Sequence, residues 1–317
     1  MRDHVVEQLG AYALGCLEVA EADQVAAHLA ECSACRDEFN AYAEVVARLC
    51  DALPAVEPSE TTKEVLATRV KERVPATDPY AGFAERYDWM NQEDPFRRQF
   101  FRQLFDRHDV VRVLDCACGT GRDLMIFAEM GLQVAGSDLS PAMLAQARVV
   151  TAGKGIPLRQ ADFRELPEHY DVSFDAVVCL TNSINEVLED AETLRALRSM
   201  RAVLRPGGIL VFDQGQTDAS MRNPARFAPV LNTRDFTRLF TMAYEGDIMT
   251  IDIFDFIHTE EVSDFDHSLV RIRIRLLDSW LEILGRAGFG EVEVFGDWHG
   301  TPYDKSSSRR LIVVAVR

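Results

Sequence analysis

The sequence predicts an α/β protein in which a doubly wound, mostly parallel sheet follows a small all-α domain. From about residue 80 onward, strand-like apolar runs alternate with helical segments of about ten residues, as in βαβ units. The first fifty residues show only the helical spacing of apolar side chains. The chain has 317 residues, which favours two domains, since a domain commonly holds roughly 100–200 residues.

Charge and composition exclude several classes of function. Asp and Glu total 51 against 34 Lys and Arg, a net charge of −17, which repels phosphate backbones and disfavours a nucleic-acid partner. Hydrophobic residues make up 47% and charged residues 27%, as in globular proteins. We find no apolar run of about 18 residues and no basic-then-apolar signal peptide, so we expect no membrane partner and a cytoplasmic location.

The element pattern divides the chain into three parts. We predict a helical domain over residues 1–53, a proline-containing linker over 54–78 with one short helix near 62–73, and a second domain over 79–317. Period-two alternation in DIMTIDIFDFIH and HSLVRIRIRLLD predicts an antiparallel pair inside an insert over about 214–276.

His28-x-x-x-Cys32-x-x-Cys35 is the strongest local motif of the helical domain. His28 and Cys32 lie four residues apart and can project from the same end of one helix, while Cys-x-x-Cys lets two thiolates close on one ion. Zn²⁺ prefers four nitrogen or sulfur ligands in a tetrahedron, so three are supplied here. His4 and Cys16 both remain candidates for the fourth position.

The order of elements in the second domain predicts where a ligand binds. Strands are predicted at VVRVLDCA, LQVAGSD, LRQADF, FDAVVCL, GGILVFD, EVEVFGD and RRLIVVAVR, and helices at Asp123–Glu129, Ala142–Val149, Ala191–Val203 and Asp278–Ala287. In open α/β sheets ligands bind outside the carboxyl ends of the strands. Residues at those ends are therefore the candidates for a site.

A glycine turn follows the first predicted strand and opens a helix. Its pattern, Asp115-x-Ala117-x-Gly119-x-Gly121, lets the backbone approach a ligand closely. It lacks the three-glycine spacing of the dinucleotide fingerprint.

Acidic residues end the next two predicted strands. Asp138 can accept hydrogen bonds from both hydroxyls of a ribose. Asp162 can bind an adenine amino group while Phe163 stacks on the ring. Three elements in this order predict an adenosine-containing cofactor.

These motifs, together with LRPGGILVFD, resemble the class I S-adenosylmethionine-dependent methyltransferases over residues 80–317. The resemblance implies a Rossmann-like sheet with an antiparallel last strand and S-adenosylmethionine as cofactor. It assigns the turn glycines to the methionine pocket, Asp138 to the ribose, and Asp162 and Phe163 to the adenine. It places Leu139 and Met143 against the adenosine and Leu180 near the sulfonium.

A closer resemblance is to the glycine and sarcosine N-methyltransferases, through VLDCACGTGRD, GSDLSPAML and VVCLTNSINEV. It places Asn182 near the methyl-transfer centre. That subgroup has a carboxylate-binding arginine after the fifth strand, where this sequence has Gly215. Glycine cannot make a bidentate carboxylate contact, so we expect another small-molecule acceptor, through an amine, hydroxyl or thiol.

The segment AYALGCLEVAEADQVAAHLAECSACRDEF resembles the zinc-binding domain of the anti-sigma-factor family. That family places an upstream ligand about 25 residues before HxxxCxxC, and His4 lies 24 residues before His28. The resemblance therefore favours His4, with His28, Cys32 and Cys35, as ligands of one structural Zn²⁺. It also implies a sigma factor, or self-association through the zinc domain, as a partner.

We predict methyl transfer from S-adenosylmethionine to a small molecule, with Asn182, His258, His267 and Tyr87 as candidate catalytic residues. A hydroxyl acceptor would need a base, for which we consider both histidines, Tyr80 and Tyr87. The alternative is an anti-sigma-like zinc-dependent regulator whose methyltransferase fold senses a metabolite. A scaffold with a dead cofactor site is disfavoured, because Gly119, Gly121, Asp138 and Asp162 are all intact.

Overall fold

The computed structural model describes residues 5–14, 16–17, 19–52, 78–90, 95–259 and 262–317. The predicted linker and its short helix near residues 62–73 lie outside the described residues, apart from Asp78. His4, one of the two candidates for the fourth metal ligand, also lies outside them.

The described chain forms two compact units. The first combines the N-terminal helices with Ala225–Thr241 and Ile253–His267. The second contains Pro75–Pro224, Met242–Asp252 and Ser268–Arg317. The first unit thus includes chain segments far from the N-terminus, whereas a boundary at residue 53 stays a prediction.

Three helices open the first unit: α1 (Val6–Ala13), α2 (Val19–Glu31) and α3 (Ser33–Ala52). Their buried apolar cluster consists, among the described residues, of Leu9, Val25, Leu29 and Cys35. Such a small cluster provides little hydrophobic stabilisation, since each fully buried side chain contributes about 1.5–3 kcal/mol.

A seven-stranded sheet forms the centre of the second unit, in the order β10-β11-β5-β4-β1-β2-β3. Its strands are β1 (Arg112–Asp115), β2 (Gln133–Asp138), β3 (Leu158–Gln160), β4 (Phe174–Cys179), β5 (Leu204–Gln214), β10 (Val292–Phe295) and β11 (Leu311–Val316). Strands β1 to β5 pair in parallel, and β11 pairs antiparallel with both β5 and β10. This confirms the predicted mostly parallel sheet with an antiparallel last strand.

Helices cover both faces of this sheet. They are α4 (Pro95–Arg107), α5 (Arg122–Glu129), α6 (Pro141–Val150), α7 (Leu166–His169), α8 (Asp190–Val203) and α9 (Leu277–Ala287). One face packs a cluster containing Trp280 and Leu197, and the other a cluster containing Phe101 and Phe127. Strand β4 is buried throughout, and its apolar side chains alternate between the two clusters. Because helices cover both faces, the sheet is doubly wound.

A second sheet has four strands in the order β6-β7-β8-β9: β6 (Phe227–Asn232), β7 (Phe236–Glu245), β8 (Ile248–His258) and β9 (Ser263–Arg273). The predicted pair corresponds to β8 and β9, although β9 begins four residues earlier than predicted. Strands β6 and β7 and helices α4 and α7 are additional to the predicted elements. Arg238 and Asp255 form an ion pair of 2.6 Å on this sheet, with both side chains almost fully buried.

Short segments link the helices and strands near the site. A 3₁₀ helix spans Ala84–Met90 before α4, and another spans Ser183–Glu186 after β4. Ser140 caps α6 by accepting a hydrogen bond from the Met143 N–H at 3.1 Å, and Pro141 occupies the first turn, a favourable helix start.

None of the helices in the described part of the chain has an apolar stretch that could span a bilayer.

Candidate functional site

A cavity of about 640 Å³ lies at the carboxyl ends of β1 to β4. Eight of the ten predicted cofactor residues line it: Ala117, Gly119, Asp138, Leu139, Met143, Asp162, Phe163 and Leu180. Asp115 and Gly121 are not among the lining residues. The structure thus brings together residues that the sequence places on four separate strand ends.

The glycine turn between β1 and α5 forms one wall of this cavity. Gly119 and Gly121 have left-handed backbone conformations, with φ of 52° and 85°. Gly121 is the N-cap residue of α5, and a Cβ there would lie 3.3 Å from the backbone of Ala147. The turn therefore needs glycine at position 121 for both conformation and space.

Asp138 connects the end of β2 to this turn. Its Oδ2 accepts a hydrogen bond from the Gly119 N–H at 2.8 Å, and its Oδ1 accepts one from the Ser140 N–H at 2.9 Å. Burial raises the pKa of Asp138, although these two hydrogen bonds act in the opposite direction. The carboxylate is thus held in a fixed orientation at the cavity, as a ribose-binding residue needs to be.

Asp115 acts inside the turn. Its side chain is buried and accepts a hydrogen bond from the Ala117 N–H at 3.2 Å. Burial, followed by the negative charge of Asp123, raises the pKa of Asp115 well above its ordinary value. We interpret Asp115 as a residue that shapes the turn rather than one that faces the cavity.

Asp162, at the end of β3, is paired with Arg164. The Arg164 Nε lies 3.0 Å from Oδ1 and 2.9 Å from Oδ2, and Arg164 also contacts Glu192 at 3.0 Å. Burial would raise the pKa of Asp162, but the hydrogen bonds and charge of Arg164 lower it on balance. Asp162 is therefore an oriented carboxylate, and an adenine amino group would share it with Arg164.

Apolar side chains form the remaining predicted cofactor wall. Phe163 packs against the main core cluster, and Met143 and Leu180 are buried. Leu139 is 60% exposed at the cavity. A leucine in that position offers a surface that a planar apolar ligand group would cover.

Glu186 and Tyr80 form a polar pair in the same cavity that the sequence analysis did not identify. The Tyr80 hydroxyl donates a hydrogen bond to the Glu186 carboxylate. The pKa of Glu186 is raised to about 7 on balance: burial raises it most, the Tyr80 hydrogen bond lowers it, and the charge of Asp138 raises it. Burial likewise raises the pKa of Tyr80, as does the negative charge of Glu186. Only the NSINEV motif, which contains Glu186, pointed to this segment.

Asn182 stabilises the loop that follows β4. Thr181 and Asn182 both have left-handed backbone conformations, with φ of 58° and 65°. The Thr181 N–H donates to Asp213 Oδ1 at 2.8 Å, and Asn182 Oδ1 accepts from the Gly215 N–H at 2.9 Å. Asn182 itself is not among the lining residues, although its neighbours Leu180, Thr181 and Ser183 are.

The other predicted catalytic residues fall into two groups. Tyr87 lines the cavity, and its ring lies 6.2 Å from that of Tyr80. Burial, followed by the charge of Glu186, raises the pKa of Tyr87. His258 and His267 lie on β8 and β9, in the first unit, and do not line the cavity. His258 contacts the Thr237 hydroxyl at 3.0 Å, and His267 stacks on Phe254 at 4.9 Å.

A candidate metal centre lies where α2 meets α3. The ligand atoms of His28, Cys32 and Cys35 all lie within 4.8 Å of one another. An imidazole and two thiols suit Zn²⁺, whose tetrahedral ligand atoms lie roughly 3.5–4 Å apart when Zn–S is about 2.3 Å. The backbone N–H of Cys35, the first of several hydrogen bonds, lowers the pKa of Cys32, whereas burial raises the pKa of Cys35.

The two candidates for the fourth ligand differ in their surroundings. Cys16 is exposed, lies outside the cluster, and contacts the Leu14 carbonyl at 3.6 Å. Val5, the residue after His4, donates a backbone hydrogen bond to the Cys35 thiol and packs against the helical cluster. Among the described residues Cys16 is thus outside the cluster, and His4 as the fourth ligand stays a prediction.

Comparison with known families finds a methyltransferase domain and a zinc-finger region in this chain. Residues 113–208 match the family described as "Methyltransferase domain". Residues 3–36 match the family described as "Putative zinc-finger", a range that includes both candidates for the fourth ligand, His4 and Cys16, as well as His28, Cys32 and Cys35.

The fold and sheet order are those of the S-adenosylmethionine-dependent methyltransferases. A solved structure of such an enzyme from Clostridium acetobutylicum ATCC 824 superposes with a TM-score of 0.66 at 18% identity, covering 75% of this chain and 98% of the other.

Two relatives illustrate the similarity in sequence. The chain is 36% identical over 135 residues to "Putative methyltransferase YqeM" of Bacillus subtilis (strain 168), covering 42% of this chain and 54% of that protein. It is 27% identical over 239 residues to the glycine/sarcosine N-methyltransferase of Aphanothece halophytica, covering 69% and 83%. The chain thus spans about half the length of the first relative and most of the second.

Proposed function

We propose that this chain is an S-adenosylmethionine-dependent methyltransferase (EC 2.1.1) that acts on an N, O or S nucleophile of a small molecule. The observation that carries the proposal is Asp138. Its carboxylate lines the cavity and accepts hydrogen bonds from the Gly119 and Ser140 N–H groups. A fixed carboxylate beside a glycine turn at this strand end suits a ribose.

The described residues fit the cofactor in chemistry as well as in position. Gly119 and Ala117 would border its methionine part, Asp138 its ribose, and Asp162 with Phe163 its adenine. When bound, this cofactor supplies a methyl group already activated by a sulfonium. The chain's own residues then need only bind and align the acceptor, exclude water, and leave the acceptor atom with a free lone pair.

We also propose one structural Zn²⁺ held by His28, Cys32, Cys35 and His4. The close cluster of the three described ligands and the contact of Val5 with Cys35 support this set. The zinc-finger description names no partner, so nothing beyond the family resemblance of the sequence favours a sigma factor.

Labelled methyl transfer tests the proposed activity. The full-length chain is incubated with methyl-labelled S-adenosylmethionine and a deproteinised small-molecule cell extract, with Asp138→Ala as the inactive control. We expect label in a small-molecule product only with the unchanged chain. Binding of S-adenosylmethionine without label in any product would contradict an enzyme and favour a metabolite-sensing regulator.

A further inference from the structure

Glu186 is an acidic side chain in the cavity that no predicted cofactor contact uses. It lies at the end of the 3₁₀ helix after β4, lines the cavity, and accepts the Tyr80 hydroxyl hydrogen bond. Within the described residues, no ion pair of Glu186 with a basic side chain is found. A shielded carboxylate without a cation is costly and either takes up a proton or binds a cation, so a cationic ligand group suits the position of Glu186 in the cavity.

The charges around Glu186 strengthen this requirement. Tyr80 and Tyr87 face it from the segment before α4, and Asp138 faces it from the end of β2. The other charged residues that line the cavity are Asp78, Asp88, Arg122, Asp123, Asp162, Arg164, Glu189 and Glu192. Asp123 is paired with Arg97, and Asp162 with Arg164. Acidic groups predominate, so this part of the cavity attracts a cation and repels a carboxylate.

We propose that Glu186 binds the ammonium of a small cationic amine and accepts its proton, so that the amine nitrogen becomes the methyl acceptor. The proposal rests on the proposed methyltransferase function and names its substrate class. It agrees with Gly215, which leaves no side chain to bind a substrate carboxylate.

The proton and electron changes balance. The ammonium gives one proton to the Glu186 carboxylate and becomes a neutral amine. The nitrogen lone pair forms the new N–C bond while the C–S bond breaks and its electron pair goes to sulfur. The product leaves as a methylated ammonium, and Glu186 then releases its proton to solvent.

The acidity of Glu186 suits an amine acceptor better than a hydroxyl acceptor. A base whose pKa lies near the working pH can take a proton from an ammonium and pass it to water. Burial raises the pKa of Glu186 to about 7, which meets this condition. An alcohol is far less acidic than an ammonium, so this carboxyl is a poor base for a hydroxyl acceptor.

The first test separates acceptors by charge. The small-molecule extract is divided by ion exchange at pH 7 into cationic, neutral and anionic fractions, and each is incubated with the enzyme and labelled S-adenosylmethionine. We expect labelled product from the cationic fraction. Transfer only to the neutral or anionic fraction would overturn the amine proposal while leaving methyl transfer intact, and no transfer at all would overturn both.

The second test uses Glu186→Gln, with Glu168→Gln as the matched control at an exposed position on α7. Glu186→Gln should lower kcat/KM for the cationic fraction by about 100-fold or more, the usual contribution of a general base. Its calorimetric affinity for S-adenosylmethionine should be unchanged. An equal loss of cofactor affinity would assign Glu186 to the cofactor instead, and retained activity would also overturn the proposal.

A third variant, Tyr80→Phe, gives a readout that a purely structural role would not. The Tyr80 hydrogen bond lowers the pKa of Glu186, so its loss should raise that pKa further. The acidic limb of the pH profile of kcat/KM should then move to higher pH. At pH values above that limb, the activity of Tyr80→Phe should recover. An acidic limb at the same pH in Tyr80→Phe and in the unchanged chain would contradict Glu186 as its origin.

Discussion

At the scale of single residues, Asp138 should control cofactor affinity. Asp138→Ala removes two ribose acceptors, and hydrogen bonds to a charged group contribute about 1.5–3 kcal/mol each. Calorimetric affinity for S-adenosylmethionine should therefore fall at least about tenfold. Asp138→Asn keeps one acceptor oxygen, so its affinity should lie between those of Asp138→Ala and the unchanged chain. Asp171→Ala, at an exposed position, should bind the cofactor normally. Normal affinity in folded Asp138→Ala would refute the site.

Glu186 should make the stability of the second unit depend on pH. Its pKa is about 7 in the folded chain against 4.5 ordinarily. The folded chain thus holds a proton between these values that the unfolded chain releases, so stability falls as pH rises through that window. Glu186→Gln should remove this loss of folding stability at high pH, which is at most about 3 kcal/mol.

This effect can be measured as thermal unfolding at pH 5 and pH 8, following the transition that S-adenosylmethionine raises. Glu186→Gln should melt higher than the unchanged chain by a larger margin at pH 8 than at pH 5. Glu168→Gln should match the unchanged chain at both. An equal margin at the two pH values would show that the pKa of Glu186 is not raised.

Gly215 should prevent efficient use of glycine. It stands where the glycine and sarcosine N-methyltransferases resembled by this sequence place a carboxylate-binding arginine. A Cβ at Gly215 would have no heavy atom within 4 Å, so the first side-chain atom of Gly215→Arg meets no clash. We expect weak glycine and sarcosine methylation by the unchanged chain and an increase in Gly215→Arg. Efficient turnover of either by the unchanged chain would contradict this interpretation.

At the scale of elements, the junction of α2 and α3 should depend on zinc. The helical cluster has few buried apolar residues, so metal binding should supply much of its folding free energy. We expect one zinc per chain by metal analysis, lost in Cys32→Ser and weakened in His4→Ala. Cys16→Ser is the matched control and should retain full zinc. Loss in Cys16→Ser with full occupancy in His4→Ala would assign the fourth position to Cys16.

At the scale of the whole molecule, zinc removal should leave cofactor binding intact. The residues that line the cavity all belong to the second unit, which has its own core on both faces of its sheet. After chelation, helical signal and protease resistance of the N-terminal region should fall while calorimetric S-adenosylmethionine affinity persists. A parallel loss of affinity, restored by adding zinc, would show that the two units are coupled.

Much of the architecture could be predicted from the sequence because its signals are local. Apolar periodicity identified the strands of the seven-stranded sheet. The glycine pattern predicted the turn, in which Gly121 has a left-handed conformation that favours glycine. Asp138 and Asp162 could be assigned to one site from their positions in the sequence, because parallel strands end at the same edge of a sheet. The HxxxCxxC spacing likewise predicted the close cluster of His28 and the two cysteines.

Other features depend on contacts between distant parts of the chain, which no local pattern encodes. Tyr80 donates a hydrogen bond to Glu186, which lies 106 positions later in the chain. Burial and the charge of Asp138 raise the pKa values of both groups. His258 and His267 belong to the first unit, away from the cavity lining. Sequence alone therefore determined the cofactor fold and the metal motif. Only the tertiary structure showed that Glu186 lines the cavity and that its pKa is raised, since burial and neighbouring charge set the pKa of a carboxyl.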